Sequence, residues 1–285
     1  MGRAKLAAIG GLGVAAVSGL AWAIKHFLRN RGYDDLDSVV SFSSRLVAGM
    51  RAFEGKEREP LFEDPLAELL AGRRGMQAAE NTMKHFEDAA EEGEEASKPD
   101  RTYLVGRVAL RTLFYDDHLL AAVKGGAIRQ VVLLGAGMDS RAWRLDLPKG
   151  VAWFEIDRAD VLNAKTKVLT SARAAFSLDA KGAQFPLRAA SYSSCDVDLG
   201  SKGWTKDLIA AGFDPEVPTV WIAEGLFMYL SEAAVTTLMK EARAVSAKGS
   251  RLLIMAFTTK DLIQWYQNTA TQFLLHAPAL RSGPL

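Results

Sequence analysis

From residue 130 onward, short apolar runs alternate with segments whose apolar residues recur at helical spacing. A short, continuous apolar run is typical of a strand buried on both faces, as in a parallel sheet covered by helices. The predicted strands are 131–134, 151–156, 191–197, 219–223 and 251–257, and the predicted helices include 158–171, 205–211 and 231–247. Ser231 is the expected N-cap of the last helix. The pattern predicts an α/β fold with a doubly wound, mainly parallel, Rossmann-like sheet.

The part of the chain before this sheet is mostly helical in pattern, with apolar positions three and four residues apart between about residues 34 and 120. Pro60, Pro65 and an acidic stretch at 87–100 interrupt the pattern. We interpret the acidic stretch as a surface connection, because such charge runs are usually solvated. We therefore expect a helical cap region at 31–125 and an α/β domain at 126–285.

Residues 1–30 form an apolar N-terminal segment, in which 6–24 carry no charge. As a helix rising about 1.5 Å per residue, this run would nearly cross a hydrocarbon layer of about 30 Å. The leading hypothesis is a membrane anchor, with the catalytic body on the cytosolic side because basic residues are more numerous after the run than before it. The alternatives are a cleaved targeting peptide that directs the chain to an organelle, and a surface helix docked on the chain's own domain in a cytoplasmic protein.

Composition narrows the function classes. Lys and Arg number 35 against 34 acidic residues, so the formal net charge is +1 and no nucleic-acid-binding surface is expected. The single cysteine, Cys195, rules out an internal disulfide framework. The four histidines lie far apart and outside metal-ligand motifs, so we expect no metal site.

Residues at the ends of the predicted strands are the candidates for binding, because ligands of doubly wound sheets lie beyond the carboxyl ends of the strands. Gly135 and Gly137 follow the first strand and permit a tight turn that a ligand can approach closely. Asp157 follows the second strand and can accept hydrogen bonds from both hydroxyls of a ribose. A glycine turn without a ligand and a helix-capping aspartate are the alternatives. Together, the two features favour a nucleoside-containing ligand.

The third and fourth strands end in further candidates. Asp198 can accept a hydrogen bond from an adenine amino group while Leu199 packs on the ring, or both residues can simply begin a loop. Glu224 follows five mainly apolar residues and faces either water or the cleft. The rule for parallel sheets favours the cleft.

Three segments carry a resemblance to a known family: QVVLLGAGMDSRAWRL at 130–145, FEID at 154–157 and WIAEGLFMYL at 221–230. They resemble the leucine carboxyl methyltransferase-like family of S-adenosylmethionine-dependent methyltransferases. The segments FEDPLA at 62–67 and RTLFYDD at 111–117 are similar to its helical N-terminal part, so the likeness covers about residues 34–257. The resemblance implies a class I methyltransferase fold and S-adenosylmethionine as the cofactor.

The resemblance also implies roles for individual residues. Gly135 would lie beside the methionine portion of the cofactor, with Gly137 in the same turn, and Asp157 would bind the ribose. Asp198 and Leu199 would contact the adenine.

For the amino-acid end of the cofactor, the resemblance implies that Arg111 pairs with the carboxylate and that Glu224 lies near the amino group. Arg107 is a second candidate for the arginine role. Asp139, Arg141 and Arg144 match the family's signature after the glycine turn, where they form either a structural ion-pair cluster or part of the catalytic machinery.

The predicted function is O-methylation of a carboxyl or hydroxyl group on a small molecule or a protein. Glu224 and Tyr229 are the candidates for a catalytic base, although core packing is an equally simple role for Tyr229. A membrane-tethered protein that binds a nucleoside cofactor without turnover and an NAD(P)-dependent oxidoreductase are the alternatives. The oxidoreductase is less favoured because Ser140 replaces the third glycine of a dinucleotide fingerprint.

The region after residue 257 departs from the family pattern. The family continues with a helix and an antiparallel pair of strands, whereas 28 residues follow Phe257 here and contain no recognisable strand pair. The sequence therefore predicts either a C-terminal truncation or an unusual sheet edge.

Overall fold

A computed structural model describes residues 39–91 and 101–255. The helical part consists of α1 (Val39–Glu54), α2 (Ala67–Glu91) and α3 (Arg101–Val123). In the sheet region the strands are β1 (Gln130–Leu134), β2 (Ala152–Asp157), β3 (Ser191–Asp196), β4 (Thr219–Ala223) and β5 (Arg251–Ile254). The helices there are α4 (Arg141–Arg144), α5 (Ala159–Ser171), α6 (Trp204–Ala210) and α7 (Glu232–Ala244), with a short 3-10 helix at Phe227–Tyr229.

The described strands form one parallel sheet in the order β3-β2-β1-β4-β5. This confirms the predicted doubly wound α/β fold. Strand order reverses at β1, which pairs with β2 on one side and with β4 on the other. The ends of β1 and β4 therefore mark the place where such a sheet binds its ligand.

Alternate residues of the central strands belong to two separate apolar cores. Val131, Leu133 and Trp153 contribute to one buried cluster, and Val132 and Leu134 contribute to the other. Because successive side chains of a strand point to opposite faces, the two clusters cover the two faces of the sheet. All five residues of β1 and of β4 are buried, which explains why both strands read as continuous apolar runs.

The helical part shares one of these cores with the sheet. One buried cluster contains Val131 and Leu133 of β1 together with three leucines of the helical part. These are Leu66 just before α2, Leu70 in α2 and Leu119 in α3. The helices are thus packed directly on the sheet, and the glycine turn after β1 lies next to α1. The predicted division at residues 30 and 125 stays a prediction.

The structure corrects several predicted bounds. Helix α2 continues through the first residues of the acidic stretch to Glu91, because alanine and glutamate are favourable in helices; residues 92–100 lie outside the described part. Helix α7 ends at Ala244 rather than at residue 247. Just beyond its end, the Ser246 hydroxyl donates to the Ala242 carbonyl. Its predicted N-cap is confirmed, since Ser231 Oγ accepts a hydrogen bond from Ala234 N at 3.2 Å.

The predicted membrane anchor and the predicted departure after residue 257 concern residues outside the described ranges. None of the helices within 39–91 and 101–255 is long and apolar enough to span a membrane. The uncharged run at 6–24 and the region after residue 257 both lie outside these ranges.

Candidate functional site

The turn after β1 is tightly packed against its neighbours. Gly135 and Gly137 have φ angles of 72° and 50°, which residues with a side chain rarely adopt. A Cβ atom on Gly135 would lie 3.0 Å from Leu226 Cδ1, and one on Gly137 would lie 3.0 Å from Ser44 Cβ. The turn therefore requires glycine both for its conformation and for its close contacts.

Asp157 ends β2 beside this turn and is only 6% exposed. Its Oδ2 accepts a hydrogen bond from Gly137 N at 2.7 Å, and its Oδ1 accepts one from Arg158 N at 2.8 Å. Burial raises the pKa of Asp157, and the two backbone hydrogen bonds oppose the rise. Because a carboxylate has about four acceptor positions, both oxygens can still accept hydroxyl groups. The structure thus joins Asp157 to the glycine turn, and its role toward a ribose stays a prediction.

Asp198 and Leu199 follow β3 and differ in exposure. Asp198 is exposed, and its Oδ1 accepts a hydrogen bond from Gly200 N at 2.9 Å. Leu199 is buried in the apolar cluster against which Leu226 and Leu230 also pack. The pair begins a loop, as one interpretation of the sequence expected, and its role toward an adenine stays a prediction.

Glu224 follows β4 and is held between two arginines. Its Oε1 lies 2.6 Å from Arg111 Nε, and its Oε2 lies 2.9 Å from Arg141 Nη2. Burial acts to raise the pKa of Glu224, but the positive charges of Arg141 and Arg111 outweigh it and the pKa is lowered. Glu224 is therefore an ionised carboxylate at neutral pH. This favours the binding of a cation over the acceptance of a proton.

Arg141 is the centre of a buried ion-pair cluster. Its guanidinium also contacts Asp139, and its Nε lies 2.7 Å from Asp116 Oδ1. Arg144 Nη1 lies 2.6 Å from the second oxygen of Asp116. These contacts form the structural cluster that was one of the two interpretations of the signature after the glycine turn. Through Arg141, the cluster also fixes the position of Glu224.

Sequence reasoning missed the residues that support the turn from the helical part. Arg51 Nη2 donates to the Met138 carbonyl at 2.6 Å, and Arg51 Nε lies 2.9 Å from Asp64 Oδ2. Ser140 Oγ donates to the same oxygen of Asp64 at 2.6 Å. Asp64 lies within the 62–67 segment that resembles the family, which was the only sequence signal for its role. These contacts hold the C-terminal side of the glycine turn.

Tyr229 lies in the 3-10 helix after β4 and contacts α1. Its hydroxyl donates to Ser43 Oγ at 2.8 Å. Burial raises the pKa of Tyr229, so the phenol stays protonated at neutral pH. The contact joins the helical part to the edge of the cleft, and the predicted catalytic role of Tyr229 stays a prediction.

The chain is similar in sequence to known proteins over most of the described region. The model of the leucine carboxyl methyltransferase family matches residues 44–243. A relative from Streptomyces avermitilis is 41% identical over 72% of this chain and 65% of its own length, and one from Frankia alni is 41% identical over 79% and 71%. Both are named as candidate S-adenosyl-L-methionine-dependent methyltransferases. The matched region thus spans about two thirds of the length of these relatives.

A solved structure, that of the S-adenosylmethionine-dependent methyltransferase SibL in its apo form, aligns with 89% of this chain and 61% of its own. Its TM-score is 0.35 and its sequence identity is 14%. The family match covers well over half of the chain, with the glycine turn, Asp157 and Glu224 inside it. The chain belongs to the leucine carboxyl methyltransferase family.

Proposed function

We propose that this protein is an S-adenosylmethionine-dependent methyltransferase that methylates an oxygen atom of its acceptor. The observation that carries the proposal is the pairing of Arg111 with Glu224 at the end of β4, beside the glycine turn and Asp157. A cation and an anion 2.6 Å apart match a ligand that carries an ammonium and a carboxylate on one carbon. Asp157 supplies acceptors for the ribose of the same ligand.

This pairing distinguishes the proposal from a nicotinamide-dependent oxidoreductase. A dinucleotide brings a negatively charged pyrophosphate to the glycine turn. Here the end of the adjoining strand presents Glu224 paired with Arg111, an anion beside a cation, instead of only the donors that a pyrophosphate needs. The α-amino acid end of S-adenosylmethionine complements both charges.

When bound, S-adenosylmethionine supplies a methyl group activated by its sulfonium sulfur. The protein's part is to align the acceptor oxygen with this group and to exclude water. Glu224 is a weak base because its pKa is lowered, and the Tyr229 hydroxyl donates to Ser43. Both predicted bases are therefore poorly suited to deprotonate a hydroxyl. This supports a carboxylate acceptor, which is already ionised near neutral pH.

Calorimetric titration and methyl labelling test the proposal. We expect S-adenosylmethionine and S-adenosylhomocysteine to bind and NAD not to bind; a preference for NAD would reject the assignment. With radiolabelled S-adenosylmethionine and a cell extract, we expect label in a product that releases volatile methanol in mild alkali, as methyl esters do and methyl ethers do not. Alkali-stable label would instead indicate a hydroxyl acceptor. Binding without any labelled product would support the alternative of a membrane-tethered binding protein.

We further propose that residues 6–24 attach the protein to a membrane, on the basis of their uncharged sequence. Fractionation of cells that express the full chain or a version beginning at Arg31 tests this. We expect only the full chain in the membrane fraction, and identical soluble behaviour of the two would reject the anchor.

A further inference from the structure

Tyr115 carries a buried hydroxyl that the mechanism above does not use. The residue is 2% exposed, and its hydroxyl has no hydrogen-bond partner among the described residues. A buried hydroxyl without a partner is unfavourable, since it has lost its hydrogen bonds to water. Beside a candidate site, such a group is available to hydrogen-bond an atom of a bound ligand.

The position of Tyr115 on α3 connects it to the Arg111–Glu224 pair. Tyr115 follows Arg111 by four residues, so both side chains lie on the same face of the helix. The Arg141 guanidinium lies 5.7 Å from the centroid of the Tyr115 ring. The tyrosine is therefore packed beside both arginines that hold Glu224.

The electrostatic surroundings keep this hydroxyl a donor. Burial raises the pKa of Tyr115, and the negative charge of Glu224 raises it further, against the opposing effect of Arg111 and Arg141. Both oxygens of Glu224 are already bound, one by each arginine. The hydroxyl therefore keeps its proton, and it donates that proton to none of the acceptors in residues 39–91 and 101–255.

We propose that the Tyr115 hydroxyl donates a hydrogen bond to the carboxylate of the ligand's amino-acid end, beside Arg111. This inference rests on the proposed function. A ligand whose carboxylate binds Arg111 brings an oxygen to the helix face that carries both side chains. Arg111 and Tyr115 then form a two-pronged carboxylate site, in which one group supplies charge and the other a neutral donor.

The test compares two ligands that share the nucleoside and thioether but differ in the amino-acid end. S-Adenosylhomocysteine has the α-amino acid, whereas 5'-methylthioadenosine lacks it. For the Tyr115→Phe variant we expect the Kd of S-adenosylhomocysteine to rise about tenfold, because a hydrogen bond to a charged group is lost. The Kd of methylthioadenosine should stay unchanged. The Tm of the free variant should be unchanged or higher, since the substitution removes a hydroxyl without a partner.

Tyr192→Phe is the matched control. It removes the hydroxyl of a half-buried tyrosine that donates to Glu155 Oε2 at 2.8 Å, so we expect a lower Tm and little change in selectivity between the two ligands. Equal affinity losses for both ligands in Tyr115→Phe, or no loss for either, would overturn the inference while the proposed function stands. Failure of the wild-type protein to bind S-adenosylhomocysteine would overturn the proposed function and the inference together.

Discussion

Replacing Glu224 with glutamine tests whether the charge of this residue holds the site together. The substitution preserves the shape of the side chain but removes the negative charge that Arg111 and Arg141 share. Arg141 keeps Asp116 and Asp139, whereas Arg111 loses its carboxylate partner among the described residues. The side chains of Glu224 and Arg111 are only 15% and 20% exposed, so solvent compensates little of the loss.

Breaking a buried ion pair from one side costs about 3 to 5 kcal/mol, and the partial exposure of Arg111 favours the lower value of about 3 kcal/mol. With about 2 to 4 °C per kcal/mol for a domain of this size, the Tm should fall by about 6 to 12 °C. The Kd for S-adenosylhomocysteine should also rise, because the partner of its ammonium has lost its charge.

Thermal unfolding followed by circular dichroism measures this effect, with Glu68→Gln as the control. Glu68 Oε2 lies 2.9 Å from Lys56 Nζ, but the two side chains are 59% and 53% exposed. A pair as exposed as this contributes about 0 to 1 kcal/mol, so its loss should move the Tm by only a few degrees. Equal shifts for the two variants would refute the reasoning that burial makes the Glu224 charge important.

The same comparison has a pH dependence with a defined sign. The pKa of Glu224 is lowered in the folded protein, so its stabilising charge is fully present above the unfolded-state pKa of about 4.3. It is lost as the pH falls through the lower folded-state value. The difference in unfolding free energy between wild type and Glu224→Gln should therefore be constant near neutral pH and shrink below about pH 4.3. A difference that grows on acidification would contradict this assignment.

Two further substitutions test the support of the glycine turn. Asp64→Asn removes a fully buried charge 2.9 Å from Arg51 Nε. The free energy of unfolding, measured in urea, should therefore fall by about 3 kcal/mol. A loss below about 1 kcal/mol would contradict the role of this pair. In Gly137→Ala, the alanine would have to adopt a φ of 50°, and its Cβ would lie 3.0 Å from Ser44 Cβ. We expect it to weaken S-adenosylhomocysteine binding in calorimetry by more than tenfold, with unchanged affinity as the contrary result.

Features determined by local sequence were predictable. β4 has the predicted bounds because its apolar run is buried on both faces and ends where Glu224 begins the loop. The N-cap role of Ser231 followed from the residue type alone. β3 was harder to predict because it lies at the sheet edge, where most of its residues are exposed or half-buried and polar. Its predicted end at residue 197 was one residue too far.

The partners of the charged residues could not be predicted in the same way. Arg51 donates to a carbonyl 87 residues away, and Arg111 contacts a carboxylate 113 residues away. No periodicity in the sequence encodes such pairs, since they depend on how the helices pack on the sheet. The sequence also gives no sign that the Tyr115 hydroxyl is buried without a partner among the described residues, because that too depends on how α3 packs.

A continuous network of ion pairs connects the helical part to the sheet. Asp116 of α3 binds Arg141 at 2.7 Å and Arg144 at 2.6 Å, while Arg141 extends to Glu224 and Arg144 lies 3.7 Å from Asp64. Arg141 and Arg144 both pair with Asp116. If Glu224 or Asp64 is lost, one of these arginines loses a negative partner and depends more strongly on the charge of Asp116. The free energies of these contacts are therefore not additive. A ligand that binds Glu224 acts on the same charges that attach the helices to the glycine turn.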